Sequence, residues 1–495
     1  MDAAGRFGLI RNLPTSVVGD PAVDGDEMQV SWWSMESLFP AMLCITTVGA
    51  MLAAMGRIAI SRPGLLLILF FFFFAFAWRL LSVLYIDVFG PVYSEQLERE
   101  LGPGLAVLPL AASQALIIAA LLFSFRPRRL HALSDNSVIR NSAVLKAGSW
   151  SLADLAFCVV GLFVLALWLE LLIRGHIPLF AGLERFDYAR LYGGPLHQRL
   201  LEWGPMLAFQ FGVLLSLPAL YGKPLDKRFG ALFAALILYL FAVGHRFSSF
   251  YLYLSFLMVP LGAALLGKHS KDQISLAKLL RRVWLPALGF VLLVGVALVY
   301  SYAVVRGSET VAIQTKLVQR ILVQQGEMWW MTYERVFLRN DWNGDHAFFK
   351  LFVDPFNPNR NSTMQFLMEI GLPLERAQFI MAQGSAYTGG WPEVLFELGG
   401  PVGGFCLVAI SAILFSEFMF LLTRCLVEER YVTCFFLTPI FYALSIFLVS
   451  GMVNSFIQLT FMIKIAAAVF AYVLEDRWRW SLITATPSVA GKPVV

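Results

Sequence analysis

Apolar residues fall into blocks of about 20 that are separated by shorter polar segments, beginning just after residue 33. A block of this length forms a helix long enough to cross the hydrocarbon core of a bilayer. The predicted spans are 34–54, 64–87, 105–125, 152–173, 205–222, 229–244, 248–266, 284–304, 393–423, 431–451 and 455–474. The pattern predicts an all-α polytopic membrane protein with about 11 transmembrane helices.

Composition agrees with this class. The chain has 58% hydrophobic residues, 43 phenylalanines and only 14% charged residues, which excludes a soluble globular protein. The five cysteines lie in or beside apolar blocks and show neither metal-ligand spacing nor a disulfide framework, so we interpret them as core residues.

Lysine and arginine alternate between the two sets of loops. The loops after spans 1, 3, 5, 7 and 9 and the C-terminal tail hold most of the short-loop basic residues, including Arg126, Arg128, Arg129, Lys268, Lys271, Arg281 and Arg282. Because basic loops stay in the cytoplasm, this set is predicted to be cytoplasmic and the N-terminus to lie outside. Two outer loops, 174–204 and 305–391, nevertheless keep several arginines, which suggests a use for positive charge on that face.

These boundaries predict five regions. An N-terminal tail, 1–33, is followed by spans 1–8 over 34–304, which include the outer arginine-rich loop 174–204. A large periplasmic helical loop, 305–391, leads to spans 9–11 over 392–474, and a cytoplasmic tail covers 475–495.

The large loop carries helix signals. A helix is predicted from Ser308 toward Arg335, a second begins with the capping residue Ser362, and a third lies between Pro373 and Gly384. These helices predict a helical extracytoplasmic cap over the membrane bundle.

The loop ends at the start of span 9. Pro392 suits a first helical position, and Glu393 and Glu397 are then expected in the opening turns, facing the outer water boundary. Helix-dipole complementation and a catalytic role are both open for these glutamates. Behind them, glycines at 399, 400, 403 and 404 form two overlapping GxxxG pairs, which predict close helix packing.

The order of these features resembles that of the bacterial O-antigen polymerases, a family of lipid-linked repeat-unit polymerases that is related in architecture to the O-antigen ligases. The resemblance lies in the outer segment IPLF…RFDYARLY, in Gly244-His245-Arg246 at the end of a mid-chain helix, and in a large outer loop that leads to TGGWPEVLFELGGPVGG. It covers roughly residues 150–420 and is one of pattern.

The resemblance implies a membrane glycosyltransferase in the bacterial inner membrane with its active site on the periplasmic side. Such an enzyme transfers glycan from undecaprenyl diphosphate to an incoming lipid-linked repeat unit. The implied partners are the lipid-linked glycan donor and acceptor and the membrane lipids. A chain-length regulator protein is a further candidate, and no nucleic acid is expected.

Arginine chemistry fits that reaction, because a guanidinium group can hold the charge of a diphosphate leaving group without a metal ion. No cofactor is implied, and the outer loops contain no acid-rich metal motif. The predicted diphosphate ligands are Arg185, Arg190 and Arg246, with Arg199, Arg306, Arg320 and Arg335 behind them.

A general base must also take the proton of the acceptor hydroxyl. Glu393 and Glu327 are the first candidates, followed by Glu334, Glu184, Asp187, His197, His245 and His346. Sugar rings could stack on Tyr188, Tyr192, Tyr387 and Trp391, and tryptophans 329, 330 and 342 are further candidates. All these aromatics could equally form the belt at the membrane surface.

Three function classes stay open at this point. They are the polymerase, a ligase-type transferase whose acceptor is a lipid core, and a non-enzymatic flippase or transporter of lipid-linked sugars. Two charges inside spans, Arg79 and Lys464, are expected to face the bundle interior or to reach toward the headgroups.

Overall fold

We analysed a computed structural model of the full chain. It describes residues 35–130, 152–181, 185–220, 225–245, 247–266, 318–353, 363–382 and 389–485, together with residue 295. The chain divides into two units, Met1–Phe39 and Pro40–Val495. The described part of the first unit is the opening of a helix, and all that follows concerns the second unit.

Helices make up nearly all of the described chain. The membrane region contains α1 (Met35–Ser61), α2 (Pro63–Ile68), α3 (Phe70–Phe89), α4 (Val107–Ser124), α5 (Leu152–Arg174), α6 (Pro178–Ala181), α7 (Arg185–Leu191), α8 (Pro195–Leu220), α9 (Lys227–Ala242) and α10 (Phe247–Leu266). A short antiparallel hairpin, β1 (Val92–Ser94) with β2 (Arg99–Leu101), connects α3 to α4.

The second half of the described chain is also helical. It contains α11 (Glu327–Tyr333), α12 (Gly344–Phe348), α13 (Thr363–Gly371), α14 (Leu374–Ala382), α15 (Glu393–Val427), α16 (Tyr431–Ser450) and α17 (Leu459–Ala485). Three π-helical turns, Gln319–Val323, Glu334–Leu338 and Phe349–Val353, and one 3-10 turn, Val453–Phe456, join them.

Eight of these helices are long and apolar enough to cross a membrane. They are α1, α3, α4, α5, α8, α10, α15 and α16, and each overlaps a predicted span. The protein is therefore a multi-pass α-helical membrane protein, as predicted.

The count of eleven stays a prediction. The sixth predicted span corresponds to α9, which has only 16 residues. The eleventh corresponds to α17, which carries Lys464 in its apolar part and acidic residues from Glu475 onward. The eighth, 284–304, lies almost entirely outside the described residues.

The bundle has two ends that differ in their connections. We call the end where α3 finishes and α4 and α15 begin the cap end. There, the chain at Gly390 crosses that at Ser450, the last residue of α16. At the opposite end, Arg62 donates a hydrogen bond to the carbonyl of Phe125 (2.8 Å), and Arg430 pairs with Asp476 (2.9 Å).

Residues 319–382, as far as they are described, form a helical segment packed on the cap end, which we call the capping segment. That this segment is the predicted cap outside the membrane stays a prediction. The predicted second and third helices appear as α13 and α14. Of the predicted first helix, residues 318–338 are helical with a turn at 324–326, and its beginning, 308–317, lies outside the described residues. The segment also reaches down the side of α3, because Trp78 donates to the carbonyl of Ile321 and Ser82 to that of Leu322, both at 2.8 Å.

Helix α15 is broken two turns after its start. Gly400 has a non-helical backbone with φ of 67°, which a glycine tolerates, and Pro401 cannot donate the next helical hydrogen bond. The indole of Trp342 packs on Gly400, and Gly404 lies against the ring of Phe396 in the same helix. A side chain at Gly403 would meet nothing. The glycine pattern therefore serves a break within one helix and not the packing of two helices that it predicts.

Candidate functional site

Two groups of polar side chains lie at the cap end. The first consists of Arg174, His176, Arg190 and Tyr192, and we call it the basic rim. The second is buried beneath the capping segment and consists of Arg79, Asp87, Glu327, Glu393 and Glu397, and we call it the buried charge cluster.

The basic rim is held in place by Glu170 of α5. Glu170 accepts hydrogen bonds from the backbone N–H groups of Leu196 (3.3 Å) and His197 (2.9 Å), and so caps the N-terminus of α8. Gly194 has no side chain, and a methyl group there would overlap the Glu170 carboxylate. Sequence reasoning missed Glu170, although a lone carboxylate in an otherwise apolar span is a signal of use.

His197 joins the two arginine-bearing stretches of the sequence. It is buried, its Nδ1 lies 3.0 Å from the hydroxyl of Tyr239, and its ring packs edge-on against Tyr188 at 5.1 Å. Its ring centroid is also 6.4 Å from that of His245, whose Nδ1 lies 3.0 Å from the Ser249 hydroxyl. The region around residues 185–199 and the turn at 244–245 are thus neighbours. Binding of one diphosphate by arginines from both stretches requires this.

The arginines of the rim are exposed. Helix α7, which carries Arg190, is tied to α8 because Gln198 donates to the carbonyl of Ala189 at 2.6 Å. The ring of His176 lies 4.5 Å from that of Tyr192, which brings the end of α5 next to the end of α7. Within the described residues, neither Arg174 nor Arg190 forms an ion pair, so both guanidinium groups can bind an external anion.

The other predicted diphosphate ligands have different surroundings. Arg199 pairs with Glu202 at 2.9 Å on the surface of α8. Arg335 lies between Glu397 (3.4 Å) and Asp341 (3.1 Å). Arg320 lies in the π-helical turn beside α3 and has an interaction partner.

Some predictions fall where the structure is not described. Arg246, Arg306, Tyr387 and Glu184 lie outside the described residues, and the same holds for the side chains of Arg185 and Asp187, whose backbone belongs to α7.

Arg79 and Glu393 form the centre of the buried charge cluster. They make an ion pair, and Arg79 also donates to the carbonyl of Trp391. Glu393 is fully buried, so the expectation that it faces the outer water boundary is wrong. The capping segment covers this end of α15, which the sequence does not reveal. Arg79 faces the interior, whereas Lys464 lies on an exposed face of α17.

Two of the aromatic residues predicted to stack on sugars are also buried. Trp391 is 1% exposed and stacks on Phe76 at 5.6 Å, and Tyr188 is likewise 1% exposed beside His197. Of the four predicted residues, Tyr192 is the one whose described side chain reaches the surface of the rim.

Asp87, at the end of α3, fastens the capping segment to the bundle. Its carboxylate accepts hydrogen bonds from the N–H of Val107 (2.7 Å) and from the indole of Trp330 (2.9 Å). The neighbouring indole of Trp329 donates to the carbonyl of Ala106 at 2.6 Å. Both tryptophans are therefore structural anchors of α11 and leave no ring face exposed.

Glu327 connects α11 to the β1–β2 hairpin. The hydroxyl of Ser94 donates to its Oε2 at 2.6 Å, and Glu327 is 1% exposed. Burial raises the pKa of Glu327 to about 8, opposed by the Ser94 hydrogen bond and reinforced by Glu95. Glu327 therefore binds its proton more tightly than an ordinary carboxyl, which disfavours a role as general base.

We expect this carboxyl to make stability depend on pH. Its pKa is raised on folding, so the folded state holds a proton that the unfolded state releases above its ordinary pKa of 4.5. The stabilisation is full below that value and is lost as pH rises to about 8, with a total effect of a few kcal/mol. Glu327→Gln removes this titrating group. Its stability in thermal unfolding in detergent should therefore decline less than that of the wild type between about pH 5 and pH 9. An unchanged pH slope in this variant would contradict the assignment.

The remaining base candidates lie on the capping segment. Glu334 pairs with Arg99 (2.6 Å) and Arg339 (2.5 Å), and the ring of His346 lies 6.2 Å from that of Phe366. In the part of the chain that the structure describes, no three histidine, cysteine or acidic side chains group as metal ligands. Metal independence of the proposed chemistry stays a prediction.

Comparison with known proteins gives a family match over part of the chain. A model of a family of unknown function, DUF6418, matches residues 357–465, which cover the end of the capping segment, α15, α16 and the start of α17. No curated protein and no solved structure matches the chain.

Proposed function

We propose that the protein is a membrane glycosyltransferase that joins undecaprenyl-diphosphate-linked oligosaccharide repeat units into a surface polysaccharide such as O-antigen. The observation that carries the proposal is the basic rim. Arg174 and Arg190 are exposed at the end of a membrane bundle and have no acidic partner among the described residues. A diphosphate at the bilayer surface matches guanidinium groups in this position in both charge and geometry.

The chemistry follows from the charge that develops during transfer. When the bond between sugar and diphosphate breaks, negative charge grows on the leaving oxygen, and fixed guanidinium groups stabilise it. Arg190 on α7, and Arg246 immediately after His245, are proposed to hold that diphosphate without a metal ion. The half-buried His245, whose ring lies 6.4 Å from that of His197, is proposed as the group that takes the acceptor's proton.

The proposed orientation puts the cap end in the periplasm and the opposite end in the cytoplasm of a bacterial inner membrane. Support comes from the short loops at the opposite end, where Arg62, Arg128, Arg228 and Arg430 lie. Undecaprenyl-linked repeat units on the outer leaflet would then meet the rim from the membrane.

We expect Arg190→Ala and Arg246→Ala each to slow transfer about ten- to a hundredfold, because each removes charge-assisted hydrogen bonds worth roughly 1.5–3 kcal/mol. Lysine at either position should restore only part of the rate, since one ammonium cannot form a planar two-bond fork. The measurement is polymer formation by purified protein in vesicles with lipid-linked repeat units and EDTA. If EDTA abolishes the activity of the wild type and a divalent ion restores it, the metal-free mechanism is contradicted.

The matched control is Arg128→Ala, an exposed arginine at the opposite end of the bundle, which should keep the wild-type rate. Wild-type rates in both Arg190→Ala and Arg246→Ala would place the active site elsewhere. A deletion strain separates the function classes. Single repeats on the lipid core indicate a lost polymerase, unattached polymer a lost ligase, and repeats held in the cytoplasmic leaflet a lost flippase.

A further inference from the structure

The break in α15 marks the depth of the bilayer surface at the cap end. The helix after the break, Pro401–Val427, is about 40 Å long at 1.5 Å per residue, whereas the hydrocarbon core is about 30 Å thick. The part of α15 after the break is therefore long enough to span the core by itself, and the two turns before the break are not needed for this. Val402, directly after the break, is 78% exposed and therefore faces lipid. Gly400 thus lies near the level of the headgroups.

One part of the capping segment packs at this level. The indole of Trp342 lies on Gly400, and the backbone of Gly344 lies against the carbonyl of Leu398. Residues 342–344, which begin the stretch 342–352, therefore lie beside α15 near the boundary between hydrocarbon and headgroups.

The exposed face of this stretch is aromatic. Ala347 and Leu351 point into the protein, while the neighbouring Phe348 and Phe349 are 56% and 61% exposed. Lys350 follows them and pairs with Glu369 at 3.7 Å. Burying a phenylalanine side chain away from water is favourable by about 1.5–3 kcal/mol. Two adjacent phenylalanines that faced water would each forgo that stabilisation. Phenylalanines beside a tryptophan and a lysine are typical of a segment that lies in a membrane interface.

We propose that Phe348 and Phe349 insert into the outer edge of the phospholipid bilayer and seat the capping segment on the membrane beside the break in α15. The occupant of this surface is lipid, because the stretch that carries both phenylalanines begins with contacts to α15 at Leu398 and Gly400, near the level of the headgroups. The inference does not depend on the proposed enzymatic activity.

Nitroxide labels test the proposal by their collisions with oxygen and with a nickel chelate. Phe348→Cys and Phe349→Cys are made singly in a background with Cys158→Ala and Cys406→Ala, the two exposed cysteines. The protein is reconstituted in vesicles of phosphatidylcholine and phosphatidylglycerol. Val402→Cys serves as the lipid reference, and the exposed Glu375→Cys on α14 as the water reference.

We expect labels at 348 and 349 to collide more often with oxygen than with the nickel chelate, as at 402. Preferential collision with the nickel chelate, as at 375, would overturn the proposal. Exclusion of both reagents together with spin–spin broadening would overturn it in favour of contact between two copies of the chain. In the unmodified protein, a photoreactive phospholipid should label the peptide that contains residues 348 and 349, and absence of that adduct would count against insertion.

Discussion

Arg79→Met is expected to lower the free energy of unfolding by about 3–5 kcal/mol, because it leaves the Glu393 carboxylate buried without a counter-charge. Glu393→Gln should destabilise to a similar or smaller extent, since it strands the Arg79 guanidinium, which keeps the Trp391 carbonyl as an acceptor. The measurement is thermal unfolding in detergent, followed by tryptophan fluorescence.

Two controls make this expectation specific. The double variant Arg79→Met with Glu393→Leu should recover much of the loss, because a buried ion pair can be replaced by apolar side chains at little cost. Arg376→Met, which breaks the more exposed pair with Glu98 (3.1 Å) outside the membrane helices, should cost only about 0–1 kcal/mol. A loss in Arg79→Met no larger than that in Arg376→Met would show that the buried pair is not a major support of the fold.

The double variant also separates structure from catalysis at Glu393. If Glu393 acts as a general base, the double variant should be stable and inactive. If the carboxylate serves only to hold the start of α15 against α3, a stable double variant should keep its transfer activity. The burial of Glu393 favours the second outcome.

Hydropathy located the membrane helices well, and the physical reason is general. A backbone in lipid has to satisfy its hydrogen bonds within the helix, so an apolar block of this length forms a helix. The predicted spans 105–125 and 152–173 correspond closely to Val107–Ser124 and Leu152–Arg174. Capping residues and prolines located α13 and α14 for a similar reason, since these signals are local.

Contacts between residues that are far apart in the sequence could not be predicted from local sequence patterns. Whether Glu393 meets water depends on how the capping segment folds over α15, and no local pattern encodes the partnership with Arg79. The glycines behind it were misread for the same reason, because GxxxG spacing occurs both at helix interfaces and at a break. Glu170 was overlooked because its role as a cap requires α8, which begins 25 residues later, to lie beside α5.

Part of the basic rim lies among the residues that the sequence indicates. Arg190 and Arg199 stand out because arginine is unfavourable in outer loops without a use, and the structure leaves Arg190 exposed while Arg199 pairs with Glu202. The sequence does not show whether the 185–199 region lies close to the turn at 244–245. The ring contact between His197 and His245 confirms that the two stretches are neighbours.

Gly451→Ala is expected to lower the free energy of unfolding by about 3 kcal/mol or more. Gly451 ends α16 with φ of 66°, a conformation that costs an alanine about 1 kcal/mol or more, and its new methyl group would overlap the carbonyl of Gly390. Gly390→Ala should have a comparable effect, because its methyl group would overlap the carbonyl of Ser450. The two backbones cross at the cap end, where the chain enters α15. Moving them apart to accept a methyl group would displace the start of that helix.

Gly403→Ala is the matched control, since it lies in α15 itself and an added methyl group there would meet no atom within 4 Å. It should leave stability unchanged or slightly raised, because alanine is the better helix former. Thermal unfolding of the three variants in the same detergent gives the comparison. If Gly390→Ala and Gly451→Ala unfold at the same temperature as Gly403→Ala, the close crossing of the two chains is absent in solution, and α15 is not held at its start by the end of α16.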